Sequence, residues 1–162
     1  SVDDDFIEPL LCYMDGFELR YEPRSVSIEK DIPAGRMIDE FWAKKRVVQR
    51  GIQSLASVTR LLNPLRFPYM SFALFSHKLL KWAMPFVMLA LLADNIALIH
   101  SHFFELTLSL QVLFLLSALA GLVTRRGPLR IPAYFVVTNA AVLSAVIAFL
   151  SGRRNTAWQV ER

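Results

Sequence analysis

The sequence predicts a mainly α-helical membrane protein, a polar foot followed by about three membrane-spanning helices. Three observations predict it. Apolar residues make up 54% of the 162 residues, but charged residues recur every few positions up to Arg66, whereas long apolar stretches begin near Leu79. Three of those stretches, Trp82 to Ile99, Phe104 to Val123 and Ile131 to Leu150, reach the roughly 20 residues needed to cross a hydrocarbon core about 30 Å thick. In the polar half, the longest apolar patterns follow helical spacing.

The elements follow in order. Phe6, Ile7, Leu10, Leu11 and Met14 lie at helical spacing, and Gly16 is placed to end that helix. FELRY alternates Phe17, Leu19 and Tyr21 and predicts a short strand ending at Pro23, and SVSIE predicts a second extended piece before Pro33 and Gly35. A long helix is then expected from Met37 to Leu62, with Ile38, Phe41, Val48, Ile52, Leu55 and Leu62 as its apolar stripe. Lys45 interrupts the stripe. Arg46 and Arg50, and Gln49 and Gln53, are spaced i, i+4 and predict a polar band beside it. One helix, two short strands and another helix bury too little to stand alone, so this half reads as the end of a larger α/β domain.

From Leu61 to Lys81 the chain mixes aromatic and apolar residues with Arg66, His77, Lys78 and Lys81, and is broken by Pro64 and Pro68. Such a segment is expected to lie on the membrane surface as amphipathic helices, with His77, Lys78 and Lys81 toward phosphate headgroups. Within the first span, Asp94 and Asn95 either line a cavity or contact another helix, or else they stand near the span's outer end. Gln111 and Asn139 are expected to hydrogen-bond between helices.

Net charge is +4, with the basic residues set beside apolar segments. That placement fits anionic lipid or a phosphate-bearing substrate, not nucleic acid. Cys12 is the single cysteine, so no intramolecular disulfide and no cysteine-rich metal site is available. The acidic first residues carry no signal-peptide pattern. Lys78, Lys81, Arg125, Arg126 and Arg130 flank the spans on one side and the HSHFFE loop lacks Lys and Arg, which predicts a multi-pass inner-membrane protein with a cytoplasmic N-terminal half. Three crossings then leave Arg153 and Arg154 outside, against the same rule, and a re-entrant third segment would remove the conflict.

Taken as an ordered series, DDDF, GFELRYEPRSVSIEKDIP, EFWAKKRVVQRGIQSL, LLNPLRF and FSHKLLKW resemble the C-terminal part of membrane-bound family 2 glycosyltransferases, relatives of cellulose, hyaluronan and poly-N-acetylglucosamine synthases. The resemblance implies the end of a GT-A type α/β domain over residues 1–60, interfacial helices over 61–81, three spans over 82–150 and a polar tail over 151–162. It implies that Asp5 is the general base that deprotonates the acceptor hydroxyl, with Asp4 beside it and a one-residue ambiguity between the two. Aligned on the family's Q-x-x-R-W motif, Arg46 would stabilise the diphosphate leaving group, with Arg50 and Gln49 as further substrate-binding residues. Ala43 and Val47 stand where the family has Gln and Trp, so the usual stacking platform for an acceptor sugar is missing.

The family's D-x-D motif lies N-terminal to these blocks. The resemblance therefore implies a fragment, inactive alone, of an inverting enzyme that passes sugar from a nucleotide-sugar donor to a glycan or lipid-linked acceptor. Mg²⁺ or Mn²⁺ would belong to that parent, with no metal site in these residues. The alternative is a non-catalytic membrane scaffold or accessory subunit of a polysaccharide synthesis or export complex.

Overall fold

A computed structural model describes residues 4–20, 22, 24–25, 36–124 and 127–152. Helix α1 runs Asp4–Met14, α2 Met37–Ser57, and a 3₁₀ turn Thr59–Leu62. Then come α3 (Pro68–Leu74), a π-helical turn (Phe75–Leu79), α4 (Leu80–Ala97), α5 (His102–Thr124) and α6 (Arg130–Leu150). No strand forms among the described residues.

Local chemistry sets the boundaries. Gly16 takes φ +90°, and the Phe17 amide donates to the Cys12 carbonyl at 3.0 Å, closing α1 with a left-handed glycine. Asp39 holds the start of α2, accepting from the backbone N–H and the Nε of Arg36, each at 3.2 Å. Asp39 and Glu40 both lie in the first turn, where the helix dipole favours a carboxylate. The long helix expected to reach Leu62 ends at Ser57. Ser57 Oγ donates back to the Ser54 carbonyl at 2.7 Å, and Val58 leaves helical geometry at φ −119°, ψ 35° before the chain tightens into the 3₁₀ turn.

The strand expected at FELRY is corrected: residues 17–20 take an irregular course, with no neighbouring strand among the described residues to satisfy a ladder. Tyr21 and residues 26–29 of the second extended piece lie outside the described residues, as do Asp3, Arg125, Arg126 and the tail from Arg153.

Residues 68–81 of the segment read as interfacial run on into the first span as one continuous helix from Pro68 to Ala97. Pro68 opens it, where a missing N–H costs nothing. The π turn within it has a packing reason. Leu74 and Leu79 both face the same apolar cluster although they are five residues apart. A regular α-helix would rotate them about 140° from each other, and one wide turn brings them back to one face. That cluster buries Leu10, Leu55, Val58, Leu61 and Leu74 and joins α1, α2, the 3₁₀ turn, α3 and the start of α4.

Helices Pro68–Ala97, His102–Thr124 and Arg130–Leu150 are each long and apolar enough to cross a membrane. α5 and α6 form an antiparallel pair that closes around Gly121, where an added Cβ would lie 2.0 Å from the Leu129 carbonyl oxygen. α2 packs more extensively against α6 than any other pair of elements in the fold. Val146 and Phe149, near the end of α6, share a cavity with Leu79, Trp82 and Phe86 at the start of α4. Three regular crossings would set those two ends on opposite faces of a bilayer.

Candidate functional site at the junction of the polar helices and the membrane helices

Asp4 and Asp5 open α1 and are described as helix backbone only. The next residue fixes where that opening lies. The Phe6 ring sits under Lys78, with Nζ 4.3 Å from its centroid, and both residues are half-buried. A cation at that distance from a ring face gains about 0.5–2 kcal/mol. One turn further along, Leu10 enters the apolar cluster, with Phe6, Ile7, Tyr13 and Met14 packed around it. The first turn of α1 is therefore clamped against the π turn, and the acidic opening and basic FSHK segment become neighbours despite lying over 70 residues apart.

α2 presents different chemistry on its two sides. Arg46 is exposed and Arg50 half-buried, four residues apart on one face, and neither has an ion-pair partner among the described residues. Gln49, expected in the same solvated band, is buried at 5% exposure, which removes it from that band. It lies about 60° from Ile52 and about 100° from Val48, on the side of α2 that packs inward. Ile38, expected in the apolar stripe, is exposed near the N-terminus of α2.

Lys45, the residue that interrupts the stripe, faces α6. It lines a cavity of about 440 Å³ with Ser144, Ile147, Ala148 and Ser151, and its Nζ lies 5.1 Å from the Trp42 ring centroid. His77 is exposed in the π turn, and Lys81 is exposed one residue into α4. On the facing side of α4, Trp82 reaches α2: a Cβ on Gly51 would meet its ring at 3.2 Å, so the glycine admits the indole.

The polar pair within the first span divides. Asp94 is exposed in the last turn of α4, whereas Asn95 is buried and contacts α5. Asn95 Nδ2 donates to Gln111 Oε1 at 2.9 Å, and Thr107 Oγ1 donates to Asn95 Oδ1 at 2.8 Å. Gln111 thus bonds between helices as expected, but Asn139 does not: its Nδ2 donates to the Phe135 carbonyl of its own helix at 2.9 Å. An asparagine in an apolar helix can satisfy its amide one turn back, and Asn139 does so although Gln111 lines the same cavity.

The sequence placed Phe6 only in the apolar pattern of α1 and gave no signal for Thr107 or the Trp82–Gly51 contact. The Trp42–Lys45 pair was readable as an i, i+3 neighbour, while the others join distant segments. Among the described residues, no three His, Cys, Asp or Glu side chains gather in one group. Comparison with models of known protein families, with curated proteins and with solved structures gives no match.

Proposed function

We propose that these residues are the C-terminal, membrane-anchored part of an inverting glycosyltransferase that moves a sugar from a nucleotide-sugar donor to a polysaccharide or lipid-linked acceptor. The observation that carries this reading is the ordered series of blocks from DDDF to FSHKLLKW. The Phe6–Lys78 contact supports it, because it brings the first and last of those blocks together. In this reaction Asp5 takes the proton of the acceptor hydroxyl while that oxygen attacks the anomeric carbon. The bond from the same carbon to the nucleotide diphosphate breaks on the opposite face. Charge then grows on the diphosphate, which Arg46 stabilises from its exposed face of α2, with Arg50 one turn away.

The test is made in the complete enzyme of which these residues would be part. Asp5→Asn is expected to lower turnover by about 10²–10⁴-fold, the usual contribution of a positioned general base, with donor binding retained. Normal turnover in Asp5→Asn together with loss in Asp4→Asn would move the base by one residue. Normal turnover in both variants would overturn the reading.

A further inference from the structure

We propose that the cavity between the end of α2, the start of α4 and the end of α6 binds one hydrocarbon chain of an anionic lipid, whose phosphate is held by Lys78 and Arg60. The cavity measures about 400 Å³, within the roughly 300–1,000 Å³ of small-molecule pockets. Its walls include Ile52, Leu55, Leu79, Trp82, Phe86 and Phe149, and Thr59 and Trp82 are the lining residues with a polar side-chain atom. Water gains nothing in such a space, whereas a hydrocarbon chain fills it. Two of its walls, α4 and α6, are candidate spans, so the cavity opens where acyl or prenyl chains are the surrounding solvent.

The charge beside it selects the headgroup. Lys78 precedes the lining residue Leu79, and Arg60 follows the lining residue Thr59. Arg60 is turned about 120° from Thr59 in its 3₁₀ turn and Lys78 somewhat less than about 100° from Leu79 in the π turn, and both flank the apolar walls without entering them. Neither has an acidic partner among the described residues. Lys78 is also positioned by Phe6, and a lysine over a ring keeps its remaining N–H donors for a phosphate oxygen. An amphiphile with a chain in the cavity would thus hold its phosphate next to the first turn of α1. Identifying that lipid with the acceptor rests on the preceding proposal, while the binding itself does not.

The test uses a chain in which Trp82 is the sole tryptophan, made with Trp42→Phe and Trp158→Phe and reconstituted in phosphatidylcholine vesicles. Quenching of Trp82 by phosphatidic acid with a brominated acyl chain is compared with quenching by brominated phosphatidylcholine at equal low mole fraction. The anionic lipid is expected to associate about 25-fold more strongly, about fivefold for each of the two basic side chains. Ala83→Phe, which fills the cavity, should abolish that preference, and Ala56→Phe does the same from the opposite wall should the first variant misfold. Lys78→Met with Arg60→Met should bring the two lipids to parity.

Equal quenching by both lipids in the parent chain would overturn the proposal, reducing the cavity to a place for ordinary bilayer lipid. Preference that survives both cavity-filling variants would overturn it in favour of surface charge alone. Displacement of the anionic lipid by inorganic phosphate would assign the basic pair to a soluble ligand and would also overturn it. No sugar transfer is read, so failure here and failure of the Asp5 test are separate results.

Discussion

The junction and the membrane helices are packed by opposite rules. At the junction the large apolar side chains go inward: Leu10, Leu55, Val58, Leu61 and Leu74 are all at most 5% exposed. In α5 and α6 the buried positions are Ala118, Gly121, Ala133, Ala141, Val142 and Ala145, and large residues such as Leu113, Leu119, Val123, Ile131 and Leu150 point outward. Only 11% of the α5 window and 22% of the α6 window are buried within the protein. The reason lies in the solvent. Water drives leucine into a core, at about 25 cal/mol per Å² of apolar surface removed. Lipid tails solvate leucine as well as protein does, so membrane helices associate where small residues let backbones approach and where polar side chains meet.

Two glycines put this contrast to the largest test. At Gly121 an added Cβ would strike the Leu129 backbone at 2.0 Å and the Ala133 side chain at 3.0 Å, and a backbone carbonyl cannot step aside. Gly121→Ala is expected to cost more than about 3 kcal/mol, above the usual range for overpacking, through separation of α5 from α6. At Gly51 the obstacle is the edge of the Trp82 indole at 3.2 Å, the far end of a side chain that can shift. Gly51→Ala also gains about 1 kcal/mol of helix propensity, so it should come out within about 1 kcal/mol of neutral. Unfolding of the two variants in mixed micelles, followed by far-UV circular dichroism, compares them directly. Equal losses would mean that close backbone approach is not what holds the membrane pair.

Leu61 tests the other rule at the next magnitude. It is fully buried in the junction cluster. Leu61→Ala should cost about 2–5 kcal/mol, the range for truncating a core leucine and leaving a cavity. The same truncation at Leu119, which is 61% exposed on α5, should cost less than about 0.5 kcal/mol in the same assay. A large loss at Leu119 would show that this face is covered by protein in the membrane.

Sequence periodicity carried most of the fold because it is a local signal. α1, its glycine stop, α2 and the three membrane helices were all legible, since spacing, capping and length each depend on a few adjacent residues. What was not legible depends on distant partners. The π turn exists to bring Leu74 and Leu79 onto one cluster, and no local feature of FSHKL demands it. Gln49 looks like a solvated polar residue until its surroundings bury it. The strand read into FELRY had alternation but no partner strand among the described residues, and alternation alone does not make a sheet. Of the candidate site, the residue types were legible, but the nearness of α1's acidic opening to Lys78 required the Phe6 contact.

The smallest effect separates two asparagines set within apolar helices. Asn95 is buried and bonds Gln111 and Thr107 across to α5, while Asn139 bonds only the Phe135 carbonyl of α6. Asn95→Leu leaves Gln111 Oε1 without its donor and removes one of the two acceptors of Thr107 Oγ1, which still donates to the Phe104 carbonyl at 3.0 Å. Interhelical hydrogen bonds of this kind in membranes average about 0.6 kcal/mol and reach about 2, so the variant should lose about 1–2 kcal/mol for its two bonds. Asn139→Leu strands no partner but a carbonyl already bonded within its helix, and should stay within about 0.5 kcal/mol of the parent. A double variant with Gln111→Leu sharpens the point. If the α4–α5 amide pair is the unit, Asn95→Leu with Gln111→Leu should lose less than the sum of the single losses, because neither amide is left unpaired. Additive losses would place the cost of Asn95→Leu in packing, and the polar bridge between these two helices would then contribute nothing of its own.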